Sequence, residues 1–315
     1  MTDHALTDLD EKIIALIEQN GRRSNREIAK TLDISERQAG LRLTQLIESG
    51  AVSVITVVDA FSAGFSIVLA IGVQVADRPA ADVAEELARV PNIVAVALMA
   101  GQYDIEVMLM AEDHAALAAL VKHQLAAIPG IRALHPSLFL DVVKYETGSG
   151  PVNALHTELA IPDNPHTDDI DRAIIAQLWN NAWETNENMA AMLGLSESTV
   201  RTRVNQLRRH HLIHITAMRN VAIGADTVFA IIGIDLSGGD QQSVLDALCG
   251  LRQLHFVASV LGRYDIIVQV LVRNTAELTE FLDDIARLPG IRTVNCAQAL
   301  KIIKYDYRWR IVGPR

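Results

Sequence analysis

Cysteine is nearly absent from this chain: Cys249 and Cys296 are the only two in 315 residues, with no CxxC pair and no ligand set beside either. That excludes a disulfide scaffold and a zinc centre, and both thiols are expected to be buried and reduced. No apolar run approaches the roughly 20 residues that a membrane helix needs. The longest, residues 64–76, is too short, and the acidic, polar first 20 residues do not resemble a secretory leader. A cytoplasmic location with no membrane partner, no metal and no cofactor is therefore the expectation. Positive charge is also in deficit, with 28 Lys and Arg against 38 Asp and Glu, a net charge of -10. Indiscriminate adhesion to polyanions is excluded, so any contact with nucleic acid has to come from a local basic patch.

Hydrophobic residues, by contrast, are half of the chain, enough to bury the cores of two or more domains. One unit is written twice. Gly101-Gln-Tyr-Asp-Ile105 returns as Gly262-Arg-Tyr-Asp-Ile266, Ile128-Pro-Gly-Ile-Arg132 as Leu288-Pro-Gly-Ile-Arg292, and Val143-Lys-Tyr145 as Ile303-Lys-Tyr305. Leu9-Asp10 likewise returns as Ile170-Asp171.

The front of each unit is helical. Asp10 and Ser24 are suited to cap helices bearing Ile13, Ile14, Leu16 and Ile17, then Ile28, Ala29 and Leu32. Ser35, with Gln38 in capping-box register, opens a third that runs to Ser49-Gly50. Three short helices with a tight connection between the last two describe a helix-turn-helix, repeated from Asp171 through Thr185 and Ser196 to His211. The second copy's last helix buries Val200, Val204 and Leu207 at helical spacing. Its other face gathers Ser196, Thr199, Arg201, Thr202, Arg203, Asn205, Gln206, Arg208 and Arg209, cations suited to phosphates and amides suited to base edges. This is the local basic patch, with four Arg against one acid over residues 196–211. Double-stranded DNA is the expected partner.

A β-rich wing follows each helical part, at 52–59 and 213–221, and then the order strand, helix, strand, strand, helix, strand, which is the ferredoxin-like βαββαβ pattern. The strand Ile67-Val-Leu-Ala-Ile-Gly-Val73 is apolar continuously, so both faces of its sheet should be covered. Two helices cover one face; a sister domain of the same chain or of a second chain has to cover the other. Homo-oligomerisation as a dimer or tetramer is expected through these domains. Residues 146–169 hold five acids, three prolines and no Lys or Arg, and read as a linker reaching roughly 25 to 30 Å. The expected fold class is α+β: two winged helix-turn-helix domains (9–58 and 170–219) alternating with two ferredoxin-like domains (59–146 and 220–310).

The spacing Leu-Ser-x-x-Thr-Val-x-x-Arg-Val-x-x-Leu at 195–207, followed by a βαββαβ domain with Gly-x-Tyr-Asp and Pro-Gly-Ile, resembles the Lrp/AsnC family of transcription regulators, here as two fused units. The resemblance implies that the ferredoxin-like domains dimerise and bind a small effector, typically an amino acid. It places the effector near Gly101, Tyr103 and Asp104 and near Gly262, Tyr264 and Asp265. A Gly turn lets backbone N–H groups approach a carboxylate, and an Asp can pair with an ammonium. Packing of the Tyr at a tight hairpin is the plainer reading of the same residues.

The copies differ in the recognition helix. The first has Ala39 for Val200 and Gly40 for Arg201, and an interior Gly costs about 1 kcal/mol relative to Ala. Arg37, Gln38, Arg42, Thr44 and Gln45 keep a DNA-reading character, with the charges of Arg37 and Arg42 offset by Glu36 and Glu48. The second head is expected to dominate, led by Arg203. Trp179 and Trp183 are expected in core or interface packing. A rival reading is enzymatic, because a similar paired build is found in sirohaem decarboxylases, and fold does not settle function. The tight polar group nominated for that chemistry is His255, Arg263 and Tyr264, with only Asn92 and Gln102 as counterparts in the first unit.

Overall fold

The structure is a computed structural model that describes residues 6–145, 149–151, 167–221, 227–306 and 308–310. Most of the stretch read as a linker lies outside the described residues. The first copy contributes α1 (Asp8–Gln19), α2 (Asn25–Leu32), α3 (Glu36–Glu48) and β1 (Val52–Asp59), then β2 (Ile67–Val75), α4 (Ala80–Ala88), β3 (Ile93–Ala100), β4 (Ile105–Ala111), α5 (His114–His123) and β5 (Ile131–Tyr145). A short β6 (Ser149–Pro151) follows. The second copy repeats the order as α6 (Asp169–Asn180), α7 (Asn186–Leu193), α8 (Glu197–Arg209), β7 (Ile213–Val221), β8 (Val228–Leu236), α9 (Gln241–Cys249), β9 (Leu254–Leu261), β10 (Ile266–Val272), α10 (Thr275–Ala286) and β11 (Ile291–Tyr305), with a short β12 (Trp309–Arg310). Among the described residues no helix is long and apolar enough to cross a membrane.

Sequence neighbours are not the structural partners. The described chain falls into two compact units, one joining residues 6–59 to 167–221 and the other joining 60–145 to 227–306 and 308–310. The two helical heads therefore pair with each other, and so do the two ferredoxin-like halves.

In the head unit the caps form where hydroxyls and carboxylates precede the helices: Thr7, Ser24, Ser35, Asp168, Thr185 and Ser196 all accept from a backbone N–H in the first turn. Thr7, not Asp10, caps α1, while Asp10 closes the capping box from the third helical position. Ile13, Ile14, Ile17, Ile28, Ala39, Leu43 and Leu46 fill the first head, and Ala217 of the second copy joins that core. The wings β1 and β7 form an antiparallel pair from Val52↔Arg219 to Val58↔Ile213. Thr56 Oγ1 donates to the Leu178 carbonyl and Thr216 Oγ1 to the Glu18 carbonyl, at 2.8 and 2.7 Å. Each wing thus satisfies a carbonyl near the C-terminal end of the other head's first helix. Trp179 is buried, whereas Trp183 is 41% exposed and lies beyond the end of α6, outside the core.

In the other unit each half is a four-stranded ferredoxin-like sheet, β3-β4-β2-β5 and β11-β8-β10-β9. The apolar inner faces do not simply stack: the sheets join edge to edge into a closed eight-stranded barrel with no open edge. The 15-residue strands β5 and β11 make this possible. Residues 131–138 of β5 pair with β2 at home, and 138–145 pair with β9 of the sister half. Strand β11 does the same with β8 and β3. Val143 and Ile303 pack against the sister's core. Lys144 Nζ donates to the Cys249 and Leu251 carbonyls, and Lys304 Nζ to the Ala88 carbonyl at 3.0 Å, each reaching the end of a sister helix. The repeated Val/Ile-Lys-Tyr motif is therefore the staple of the barrel. Both cysteines are free thiols, half-buried, and burial pushes both upward in pKa.

Candidate functional sites in the heads and the barrel

On α8 the side chains of Arg201, Thr202, Asn205, Gln206, Arg208 and Arg209 are exposed, and Thr199 is half-buried. Ser196 is the N-cap, its Oγ 2.8 Å from Thr199 Oγ1, so these two hydroxyls are spent on starting the helix. Thr202 Oγ1 bonds back to the Ser198 carbonyl, and Arg201 sits 3.5 Å from Glu197. Arg208 and Arg209 extend the positive charge along the last turn.

Arg203, expected to lead the contact with DNA, is otherwise engaged. Its Nη1 lies 2.7 Å from Asp168 and 3.2 Å from Asp171, carboxylates at the N-terminal end of α6. The Asp171 N–H and then Arg203 hold the Asp168 carboxyl below its ordinary pKa. Arg42 repeats the arrangement more loosely, 3.9 Å from Asp10. Both residues thus stand between the recognition helix and the first helix of its head. A period-3.6 pattern puts them on the polar face, and only the packing of α6 on α8 shows what they face.

On α3, Arg37, Gln38, Thr44 and Gln45 are exposed, as is Leu41, which stands where the second head has Thr202. A Cβ on Gly40 would lie 2.9 Å from the Asn25 amide, so this Gly lets α3 approach α2 closely. The first head has an apolar side chain at the centre of its exposed face and the second a polar one.

In the barrel unit, the Gly-x-Tyr-Asp turns are structural in part. Asp104 and Asp265 each accept from the backbone N–H of Val75 and of Leu236, at 2.8 and 2.7 Å, which ties the turn to the end of the neighbouring strand. Each bond uses one carboxylate oxygen, and both side chains remain exposed. Tyr103 and Tyr264 lie flat over Gly72 and Gly233, where a Cβ would come within 2.2 and 2.3 Å of the ring. Gly101 abuts Ala297 and Gly262 abuts Ser137, so each turn is set against the long strand of the sister half. The turns also meet: the Tyr264 hydroxyl donates to Gln102 Oε1 at 2.9 Å, and burial pushes its pKa up to about 12.

The two turns are chemically unequal. Arg263 lies over the Tyr264 ring at 5.3 Å and 4.0 Å from Asp235, where the first turn has neutral Gln102. Beside Tyr103 the cross-strand neighbours of Gly72 are Glu106 and His135; around Gly233 they are Ile267 and Asn295. His135 stacks on Tyr103 at 5.0 Å. The Tyr103 hydroxyl and His135 Nε2 are buried without a hydrogen-bond partner. Sequence reasoning missed His135, because strand register alone brings it beside a turn more than 30 positions earlier.

The trio His255, Arg263 and Tyr264 does not assemble. His255 occupies the bulge near the start of β9 and Arg263 lies past its end, roughly 20 to 25 Å apart along an extended strand.

The helix-turn-helix of AsnC type matches at residues 6–47 and 168–208, and the Lrp/AsnC ligand-binding domain at 69–149 and 229–309. The chain belongs to the Lrp/AsnC family. Its Lrp/AsnC relatives include the HTH-type transcriptional regulator FL11 of Pyrococcus furiosus, 31% identical over 138 residues, which are 44% of this chain and 91% of that protein. An uncharacterized HTH-type regulator of Pyrococcus abyssi is 28% identical over 141 residues, 44% of this chain and 89% of the relative. Each aligned stretch is thus about the length of one of the two repeated units. Over the full tandem length, the fold matches the crystal structure of the siroheme decarboxylase NirDL in complex with an iron-uroporphyrin III analogue. That match has a TM-score of 0.69 and 14% identity, covering 97% of this chain and 94% of the other.

Proposed function

We propose that this Lrp/AsnC chain is a DNA-binding transcriptional regulator that carries both heads of a dimer in one polypeptide, with the second head supplying most of the affinity. The exposed row Arg201, Asn205, Gln206, Arg208 and Arg209 on a capped recognition helix carries this reading. Arg37, Gln38, Thr44 and Gln45 of the first head add a weaker surface. Ser196, Thr199, Arg42 and Arg203 position the helices. Double-stranded DNA is the partner, through two half-sites that the paired heads address together.

The barrel takes a small effector, an amino acid being the class that the family implies, at the paired turns around Gly101, Tyr103, Asp104, Gly262, Tyr264 and Asp265. The buried, unpartnered Tyr103 hydroxyl and His135 Nε2, with Arg263 nearby, support a polar ligand there. Arg263, half-exposed over the Tyr264 ring, is the cation that takes its carboxylate. Decarboxylase chemistry on a tetrapyrrole is the second reading, favoured by the fold match and disfavoured by the separation of His255 from Arg263.

Anisotropy titrations on labelled DNA from upstream of the gene, with competitor and at several salt concentrations, test this. Arg208→Ala and Arg209→Ala should each weaken binding on every sequence and lower the salt slope by about one. Failure to bind any genomic fragment, with or without amino-acid pools, overturns the regulator; a tetrapyrrole absorbance in the purified protein supports the second reading.

A further inference from the structure

The duplication predicts matching residues in the two halves of the barrel, and on the wall of one cavity the match is broken twice. Glu106 stands on β4 where the second copy has Ile267, and Gln269 on β10 where the first copy has Met108. Each half has acquired one polar residue, and both line one cavity inside the barrel. Among the described residues neither side chain has a hydrogen-bond or ion-pair partner, although Gln269 is only 7% exposed. The rest of the wall includes the rings of Phe139, Phe229 and Tyr305. Lys304 borders the same space but sends its ammonium to the Ala88 carbonyl, so it does not neutralise Glu106.

A carboxyl group, an amide and three aromatic rings around a small cavity form a cation-binding set: the carboxylate supplies charge, the amide oxygen accepts, and aromatic rings attract a positive group. The cavity measures about 30 Å³, room for roughly two waters or a stem of one or two carbons. We propose that the barrel interior is a binding site for a compact primary ammonium, held by Glu106 and Gln269 across the seam between the two halves. Glu106 is also the cross-strand neighbour of Gly72 under Tyr103, so this site adjoins the first of the paired turns, but its two holding groups are not turn residues.

Burial pushes the empty Glu106 carboxyl up to about 8, so it is mostly protonated at pH 7. Tyr103, Tyr264, Tyr305, His135, Arg263 and Lys304 are the titratable and charged groups around it, and burial alone accounts for its shift. Binding an ammonium therefore expels the Glu106 proton to solvent.

The test uses the full chain and ethylammonium chloride as the probe, with ethanol and sodium chloride as controls. Thermal unfolding reports binding, and calorimetry at pH 7 in buffers of different ionisation enthalpy reports proton release. Ethylammonium should raise the melting temperature saturably, with close to one proton released, whereas ethanol and sodium chloride should not. Glu106→Gln should weaken binding at least tenfold and abolish the proton release, and Gln269→Met, restoring the sister residue, should weaken it several-fold with the release intact. Equal stabilisation by ethanol, or equal binding to wild type and Glu106→Gln, overturns the proposal.

Discussion

Replacing Glu106 by Gln isolates one carboxyl group on the wall of the barrel cavity. Burial is what raises it, from the ordinary 4.5 to about 8, and no nearby cation opposes the shift. Between these two values the folded protein holds a proton that the unfolded chain has released, so stability falls as pH rises. The slope is about 1.4 kcal/mol per pH unit, which amounts to roughly 3 kcal/mol by pH 7 and roughly 5 above pH 8, where the loss is complete. Gln keeps the shape of the protonated acid and cannot titrate. Urea unfolding of wild type and Glu106→Gln, compared from pH 5 to pH 9, should therefore show similar stability at pH 5 and a widening advantage for the variant that levels off above pH 8. Parallel curves across that range would refute the argument, since they would mean that solvent or a counter-charge reaches the carboxyl in the folded state.

Other perturbations follow from the same geometry. Gly72→Ala or Gly233→Ala drives a methyl group into a tyrosine ring at 2.2 or 2.3 Å and should lower barrel stability by about 2 to 3 kcal/mol, read as a fall in thermal midpoint; a loss below about 0.5 kcal/mol would show that the ring moves freely. Lys304→Met leaves the Ala88 carbonyl without its buried donor and should cost about 1 to 3 kcal/mol in denaturant unfolding, with an unchanged thermal midpoint as the contrary result. Thr56→Val and Thr216→Val each remove one bond to the opposite head at about 1 kcal/mol. Faster amide exchange at the β1 and β7 ladder is the readout. Arg203→Ala should loosen α8 from α6, visible as faster exchange in α8 without DNA present. If exchange is unmoved while DNA affinity collapses, Arg203 is a direct contact after all.

Much of the local structure is legible in the residues themselves. The strands at 52–59, 67–75, 213–221 and 266–272 are found where the apolar and β-branched runs stand, because strand periodicity and flanking turn residues are short-range signals. Helix starts follow in the same way from Ser24, Ser35, Thr185 and Ser196, whose side chains satisfy donors a few residues away. The duplication, visible in repeated words such as Gly-x-Tyr-Asp, fixes that each domain occurs twice and that two apolar sheet faces need covering. How they are covered is decided only by long-range pairing: the exchange of β5 and β11, the closure of the barrel, and the reach of Lys144 and Lys304 to sister helices connect residues 105 to 216 positions apart. Arg203 shows the same limit within one head. Its place on the polar face of α8 follows from the helical period, but its commitment to Asp168 and Asp171 depends on a helix packed from over 30 residues upstream. Glu106 is ordinary as a letter in β4, and becomes a half-buried acid on the wall of a cavity only because a second half closes over it. Periodicity and caps are properties of a few consecutive residues, whereas desolvation and partner choice are properties of the space that distant segments enclose.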